Sequence, residues 1–252
     1  MMSRKRLRIS SAILVLIALF FLGMPTYMRE ALIHWYPDIS DTYLFASHTV
    51  EKPDTCWEWP VAPDCNTYVL DSADNAYLDE LKTVAFLVIQ NDSILYEEYR
   101  EDWTPQTLSN IFSATKSIVG LLIGVACDEG YIKSLDDPVG KYLPEFQQGE
   151  KSRITVRNLL TMSSGLNWDE AYTALFSKTT QAYYGDNIRE LVMGLEPETE
   201  PGKQYSYKSG DTQLLSFVLE AATGRTISDY AQEKLWKPMQ ACNDALWNLD
   251  KK

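Results

Sequence analysis

Ser113 and Lys116 lie three residues apart in Ile111-Phe112-Ser113-Ala114-Thr115-Lys116-Ser117, just ahead of an apolar run from Ile118 to Ala126. On a helix that spacing puts both side chains on one face. A serine at a helix N-terminus sits in the positive end of the dipole, which favours a developing alkoxide. A lysine one turn further on, beside a buried apolar wall, loses its proton more readily than in water. Neutral lysine can then take the hydroxyl proton, and serine becomes a nucleophile without histidine. Only two histidines occur, His34 and His48, both far upstream. A Ser-His-Asp triad or a His-rich metal site is therefore hard to build. Ser-x-x-Lys alone is a common pattern, and a capping serine beside a solvated lysine would look the same. Its place at the mouth of a buried helix gives it weight.

A second group follows at Pro201-Gly202-Lys203-Gln204-Tyr205-Ser206-Tyr207-Lys208-Ser209-Gly210-Asp211. Tyr207 precedes a turn and an amphipathic helix. A phenol near a lysine can carry protons for attack and for leaving-group departure. With 15 tyrosines in the chain, Tyr207 taken alone would be a half-buried structural residue.

Several elements must position these groups. Val84–Ile89 and Ile94–Tyr99 flank an Asn91-Asp92 turn and predict an antiparallel hairpin. The run Ile118–Ala126 is apolar on all sides and ends near Gly130, which predicts a helix buried on every face. Thr155 can cap a short helix over 156–162 that stops near Gly165. Leu214, Leu215, Val218, Leu219 and Ala222 fall at helical spacing before Gly224, and Thr226 or Ser228 opens another helix reaching about Trp236. No convincing strand is visible after residue 100. Residues 26–82 carry Pro37, Pro53, Pro60 and Pro63 and no sustained period, and read as an irregular lead-in. The pattern is α+β: a strand pair followed by a helical cluster packed on an antiparallel sheet.

Taken together, Ser113-Ala-Thr-Lys116, Ile154-Thr-Val-Arg-Asn-Leu-Leu-Thr-Met-Ser-Ser-Gly-Leu166 and Pro201-Gly202 leading to Tyr207-Lys-Ser209 resemble the beta-lactamase-related serine hydrolases. This is the class C beta-lactamase and penicillin-binding-protein superfamily. Tyr207-Lys-Ser-Gly-Asp-Thr-Gln-Leu-Leu215 is most similar to its 6-aminohexanoate-dimer hydrolase branch. The resemblance runs from about residue 83 to about 250 and implies a beta-lactamase/transpeptidase-like fold. It implies Ser113 as the acylated nucleophile, Lys116 as its activating partner and Tyr207 as the proton-shuttling tyrosine of a Tyr-x-Asn motif. Ser209 stands where many members have asparagine, which implies a hydrogen bond to a substrate carbonyl or to Lys116. The block from Ile154 to Leu166 is expected to support the site.

The family pattern also has a third element, Lys-Thr-Gly or a variant, on a strand that lines the site and donates to the oxyanion hole. Lys208-Ser209-Gly210 overlaps the tyrosine motif and runs into a helix, and Thr223-Gly224 ends one. Neither fits. Loss of an oxyanion-hole donor costs roughly 3 kcal/mol of transition-state stabilisation, and loss of the strand uncovers one face of the buried helix. The expectation is an N-terminal part of a hydrolase domain (residues 83–252) with weak or no activity alone.

The chain has 252 residues, with 23 basic against 35 acidic side chains and a net charge of -12. An acidic surface repels phosphate backbones, so a nucleic-acid partner is not expected. No cofactor is implied, and no Cys-x-x-Cys or Cys/His spacing suggests zinc. Arg4, Lys5, Arg6 and Arg8 precede an apolar run from Ile9 to Met24 that lacks a clean Ala-x-Ala site. Residues 1–25 therefore read as an uncleaved signal-anchor helix spanning the membrane, with a cleaved signal peptide as the alternative. Either exports the rest, because the basic end stays cytoplasmic. Export would allow Cys56 and Cys65 to close a short disulfide loop, while Cys127 reads as a core residue. The leading function is an exported serine hydrolase of a small amide or ester. The alternatives are a penicillin-binding-type cell-wall peptidase and a non-catalytic binding protein that kept the scaffold.

Overall fold

The computed structural model describes residues 4–250. The N-terminal third holds α1 (Arg4–Gly23), α2 (Thr26–His34), β1 (Ala46–Val50) and α3 (Ser72–Glu80). The stretch expected to be an irregular lead-in thus carries three regular elements. Pro25 at the start of α2 supplies a fixed φ where a helical N–H is not needed. Asp71 caps α3, its carboxylate accepting from the Ala73 and Asp74 N–H groups.

The expected hairpin is present. β2 (Ala85–Gln90) pairs antiparallel with β3 (Ser93–Tyr99). Asn91 and Asp92 both take left-handed backbone, at φ 50° and 56°, the conformation that a two-residue hairpin turn demands.

α4 (Thr115–Asp128) carries the apolar run, but it is not buried on every face. Val119, Leu122, Ile123 and Ala126 form the buried stripe at helical spacing. On the other side Ser117, Leu121, Gly124 and Asp128 are exposed, Leu121 by 59%. The composition of the run records its apolarity; only packing decides which side is covered.

α5 (Val156–Leu160) opens on a capping box in which Thr155 and Asn158 satisfy each other's backbone N–H groups. α6 (Lys178–Tyr184) and α7 (Ile188–Met193) follow. α8 (Ser209–Thr223) ends at Gly224, whose φ of 70° provides the left-handed C-cap. Thr226 caps α9 (Ile227–Ala231), which continues through a wider turn to Trp236. One core joins these helices. Leu214, Val218 and Leu219 of α8 meet Leu122 and Ile123 of α4, Leu159 of α5 and Val192 of α7, with Phe146 and Tyr230 fully enclosed.

The absence of strands after residue 100 is corrected by β4 (Ala245–Leu249), which pairs antiparallel with β1 from Ala46↔Leu249 to Val50↔Ala245. Two separate two-stranded ladders, rather than one sheet, therefore accompany the helices among the described residues. β1 contains Ser47, His48 and Thr49 and shows no apolar strand signature, whereas β4, Ala-Leu-Trp-Asn-Leu, is mostly apolar but only five residues long. No single helix among the described residues is long and apolar enough to cross a membrane. Ile13–Gly23 and Thr26–His34 pass that test only together, bent by 115°. All four cysteines are free, so Cys56 and Cys65, which could close a short loop, are not bonded. Cys127 is half-buried against the core.

Candidate active site

Ser113 lies on a single turn, Phe112–Ala114, that feeds directly into α4. Phe112 takes a φ of 42°, a left-handed conformation that costs a bulky residue of order 1–3 kcal/mol. Its ring meets Tyr183 edge-on at 6.4 Å between centroids, a contact that helps to hold the strained turn. Just upstream, Asn110 fastens the loop to two distant segments. Its N–H donates to the Ile39 carbonyl (2.8 Å), its Nδ2 donates to the Asp38 carbonyl (3.0 Å), and its Oδ1 accepts from Asn248 Nδ2 (3.2 Å).

The three residues singled out by chemistry converge. Lys116 Nζ donates to Ser113 Oγ at 3.1 Å, and the Tyr207 hydroxyl donates to the same oxygen at 2.7 Å. Lys116 Nζ also lies over the Tyr207 ring, 5.1 Å from its centroid, a cation–π placement that fixes the two relative to each other. Ser113 is exposed and Lys116 half-buried, so the serine hydroxyl faces solvent while the lysine is held from behind.

Ser209 goes elsewhere. Its hydroxyl donates to Glu170 Oε1 at 2.5 Å and its N–H donates to Glu170 Oε2 at 2.8 Å, so of the two expected partners, a substrate carbonyl or Lys116, it does not bond Lys116. The same carboxylate accepts from the indole N–H of buried Trp168 (2.6 Å) and from the Tyr172 hydroxyl (2.6 Å). Burial and the Glu170 carboxylate raise the Tyr172 phenol well above its ordinary range. Glu170 thus holds the first turn of α8, and with it Tyr207 two residues earlier. Sequence reasoning missed this residue. The only available signal was an acidic pair, Asp169-Glu170, soon after the Gly165 turn.

The block from Ile154 to Leu166 braces the tyrosine segment from the other side. Gly202 N–H donates to the Ser163 carbonyl and Ser206 N–H to the Met162 carbonyl. Gly165, at φ 77°, accepts from the Glu198 and Thr199 N–H groups, and any Cβ there would collide with the Thr199 carbonyl oxygen. Ser164 donates to Asp211 Oδ1 at 2.6 Å. Asp211 is fully buried in the first turn of α8, and its Oδ2 has no partner. Burial pushes its carboxyl up to about 6, against the opposing pull of Ser164 and Lys208.

The beta-lactamase family profile matches residues 72–250, more than half of the chain. The chain belongs to the beta-lactamase family. Among curated relatives, the 6-aminohexanoate-dimer hydrolase of Paenarthrobacter ureafaciens is 28% identical over 184 residues, which cover 69% of this chain and 46% of the relative. Protein flp of Staphylococcus aureus (strain MW2) is 29% identical over 140 residues, covering 54% and 28%. This beta-lactamase-family chain therefore spans less than half the length of either. Among solved structures, a Bacillus anthracis protein provisionally assigned as a 6-aminohexanoate-dimer hydrolase superposes with a TM-score of 0.72 at 18% identity, covering 90% of this chain and 64% of that one. FmtA of Staphylococcus aureus superposes with a TM-score of 0.50 at 25% identity, covering 71% and 51%. The fold is thus beta-lactamase/transpeptidase-like, with helices and antiparallel strands.

Proposed function

We propose that this chain is a serine hydrolase that opens a small amide or ester through an acyl-enzyme on Ser113. The observation that carries this reading is one oxygen, Ser113 Oγ, receiving hydrogen bonds from both Lys116 and Tyr207. Two proton donors on one hydroxyl describe the resting arrangement. Once either gives up its proton, that group accepts the Ser113 proton while the other still holds the oxygen in line. Attack on the carbonyl carbon forms the Ser113 ester and breaks the C–N or C–O bond. The protonated partner delivers its proton to the departing amine or alcohol, and water then repeats the sequence in reverse. Lys116 and Tyr207 are assigned this role jointly. Half-exposed Tyr207 sits against the serine, and Tyr183 packs against the neighbouring Phe112. These rings suit a partly apolar acyl chain, and the Ser209 hydroxyl is committed to Glu170.

Export with an N-terminal anchor is part of the same proposal. The exposed side chains of α1 include Leu14, Leu16, Leu19 and Phe20, preceded by the four basic residues near the N-terminus.

Steady-state hydrolysis of p-nitrophenyl acetate and of a short linear amide, alongside labelling by fluorescent penicillin, tests the reading. Turnover abolished by Ser113→Ala, with little penicillin labelling, is expected. Strong penicillin labelling at Ser113 with no ester or amide turnover would replace it with the cell-wall peptidase reading. Neither turnover nor labelling would leave a binding scaffold.

A further inference from the structure

Cys56 and Cys242 lie 186 residues apart in sequence, yet their sulfurs and a Glu58 carboxylate oxygen all fall within 4.8 Å of one another. The two segments run alongside each other beyond the end of the β1–β4 ladder. Lys52 N–H donates to Asp244 Oδ1 (2.8 Å) and Trp57 N–H donates to the Gln240 carbonyl (2.9 Å). These bonds bracket the cysteine pair, so the backbone already holds the sulfurs in register. The neighbouring Cys56 thiol pushes the Cys242 thiol up to about 11, in keeping with sulfurs within 4.8 Å of each other. Residues 51–59 form no regular element, so side-chain rotation with a small shift of that segment can close the remaining gap to a bonded pair.

We propose that Cys56 and Cys242 are a redox pair that closes to a disulfide and staples the N-terminal segment to the β4 end of the chain. The step needs a disulfide oxidant, such as oxidised glutathione. Exposed Cys56, as its thiolate, attacks one glutathione sulfur and releases the first glutathione thiol. Half-buried Cys242 then attacks the Cys56 sulfur, forms the Cys56–Cys242 bond and releases the second. The protein loses two electrons and two protons, and the oxidised glutathione gains both. Metal capture by the same cluster is the competing use. Among the described residues the set stops at three ligand atoms, one short of a closed tetrahedral zinc site, which favours the disulfide. Its consequence reaches toward the catalytic serine. The β1–β4 pair carries Asn248, which bonds Asn110 three residues ahead of Ser113.

The test equilibrates the full chain in glutathione redox buffers, with and without Zn²⁺, then alkylates free thiols and maps disulfide-linked peptides by mass spectrometry. The Cys65→Ser/Cys127→Ser variant, which retains the proposed pair, is run in parallel. A single Cys56–Cys242 cross-link in both proteins, at a midpoint potential below that of glutathione, is expected. Its formation should raise the thermal midpoint by several degrees relative to the reduced protein. A Cys56–Cys65 link, or alkylation of both Cys56 and Cys242 after oxidation, overturns the proposal. Retention of one Zn²⁺ per chain, with Cys56 and Cys242 protected from oxidation to the cross-link, overturns it in favour of a metal site.

Discussion

At the scale of single residues, the site is two donors sharing one acceptor. Removing the Tyr207 hydroxyl takes away a 2.7 Å hydrogen bond to Ser113 while Lys116 keeps its own. Tyr207→Phe should lower kcat/KM for a p-nitrophenyl ester by roughly 10²–10⁴-fold, the usual worth of a positioned acid–base group. Its unfolding midpoint should stay near that of the wild type, because the side chain is 38% exposed. A rate within about threefold of wild type would remove Tyr207 from the machinery. Asp211 makes a different kind of prediction. Its carboxyl is raised from 3.8 to about 6 by burial, so the folded state keeps a proton that the unfolded chain has already released between those values. Its contribution to stability is full below pH ~4 and is lost as pH rises through about 6. Asp211→Asn keeps an oxygen for Ser164 but cannot ionise. Urea unfolding should show the variant gaining on the wild type by up to ~3 kcal/mol between pH 4 and pH 7.5. An equal difference at both pH values would mean that burial does not burden this carboxylate.

At the scale of elements, two glycines separate backbone need from mere presence. Gly165 sits at φ 77° against the Thr199 carbonyl, in the turn that anchors the tyrosine segment. Gly124 sits within α4 with open space where a Cβ would go. Gly165→Ala should destabilise by roughly 2 kcal/mol or more, whereas Gly124→Ala should stabilise by about 0.5–1 kcal/mol through helix propensity. Chemical unfolding of the pair checks both signs, and a stabilised Gly165→Ala would contradict the bracing role. The same contrast shows what the sequence could reveal. The hairpin, α5 with its Thr155 cap, and α8 closing on Gly224 were legible because local rules write them: turn residues, capping residues and helical spacing. Ser113, Lys116 and Tyr207 were legible as a pattern of types and order. The β1–β4 pair was not, because its partners are some 200 residues apart in the sequence, β1 is largely polar, and β4 is a run of only five residues. Glu170 was hidden for a related reason. Its role comes from four donors that only folding brings together. The exposed side of α4 shows the converse, since an apolar run states what could be buried and packing decides what is.

At the scale of the whole molecule, distant segments are tied together beside Ser113. Residues 38–39 and 248 each bond Asn110 just ahead of Ser113, so the N-terminal region helps to hold the loop that carries the candidate serine. Its outer part makes a separate prediction. If α1 anchors the protein, the full chain should sediment with membranes after expression and a variant beginning at residue 26 should not. A full chain that stays in the supernatant would contradict the anchor. The central claim concerns one oxygen atom. The most direct measurement is reaction of the purified chain with a fluorophosphonate, followed by intact mass and peptide mapping, for wild type and Ser113→Ala. A single adduct on Ser113, absent from the variant and slowed in Lys116→Ala and Tyr207→Phe, is the predicted result. An unmodified wild type, or an adduct that persists in Ser113→Ala, would contradict the assignment of Ser113 as an activated nucleophile.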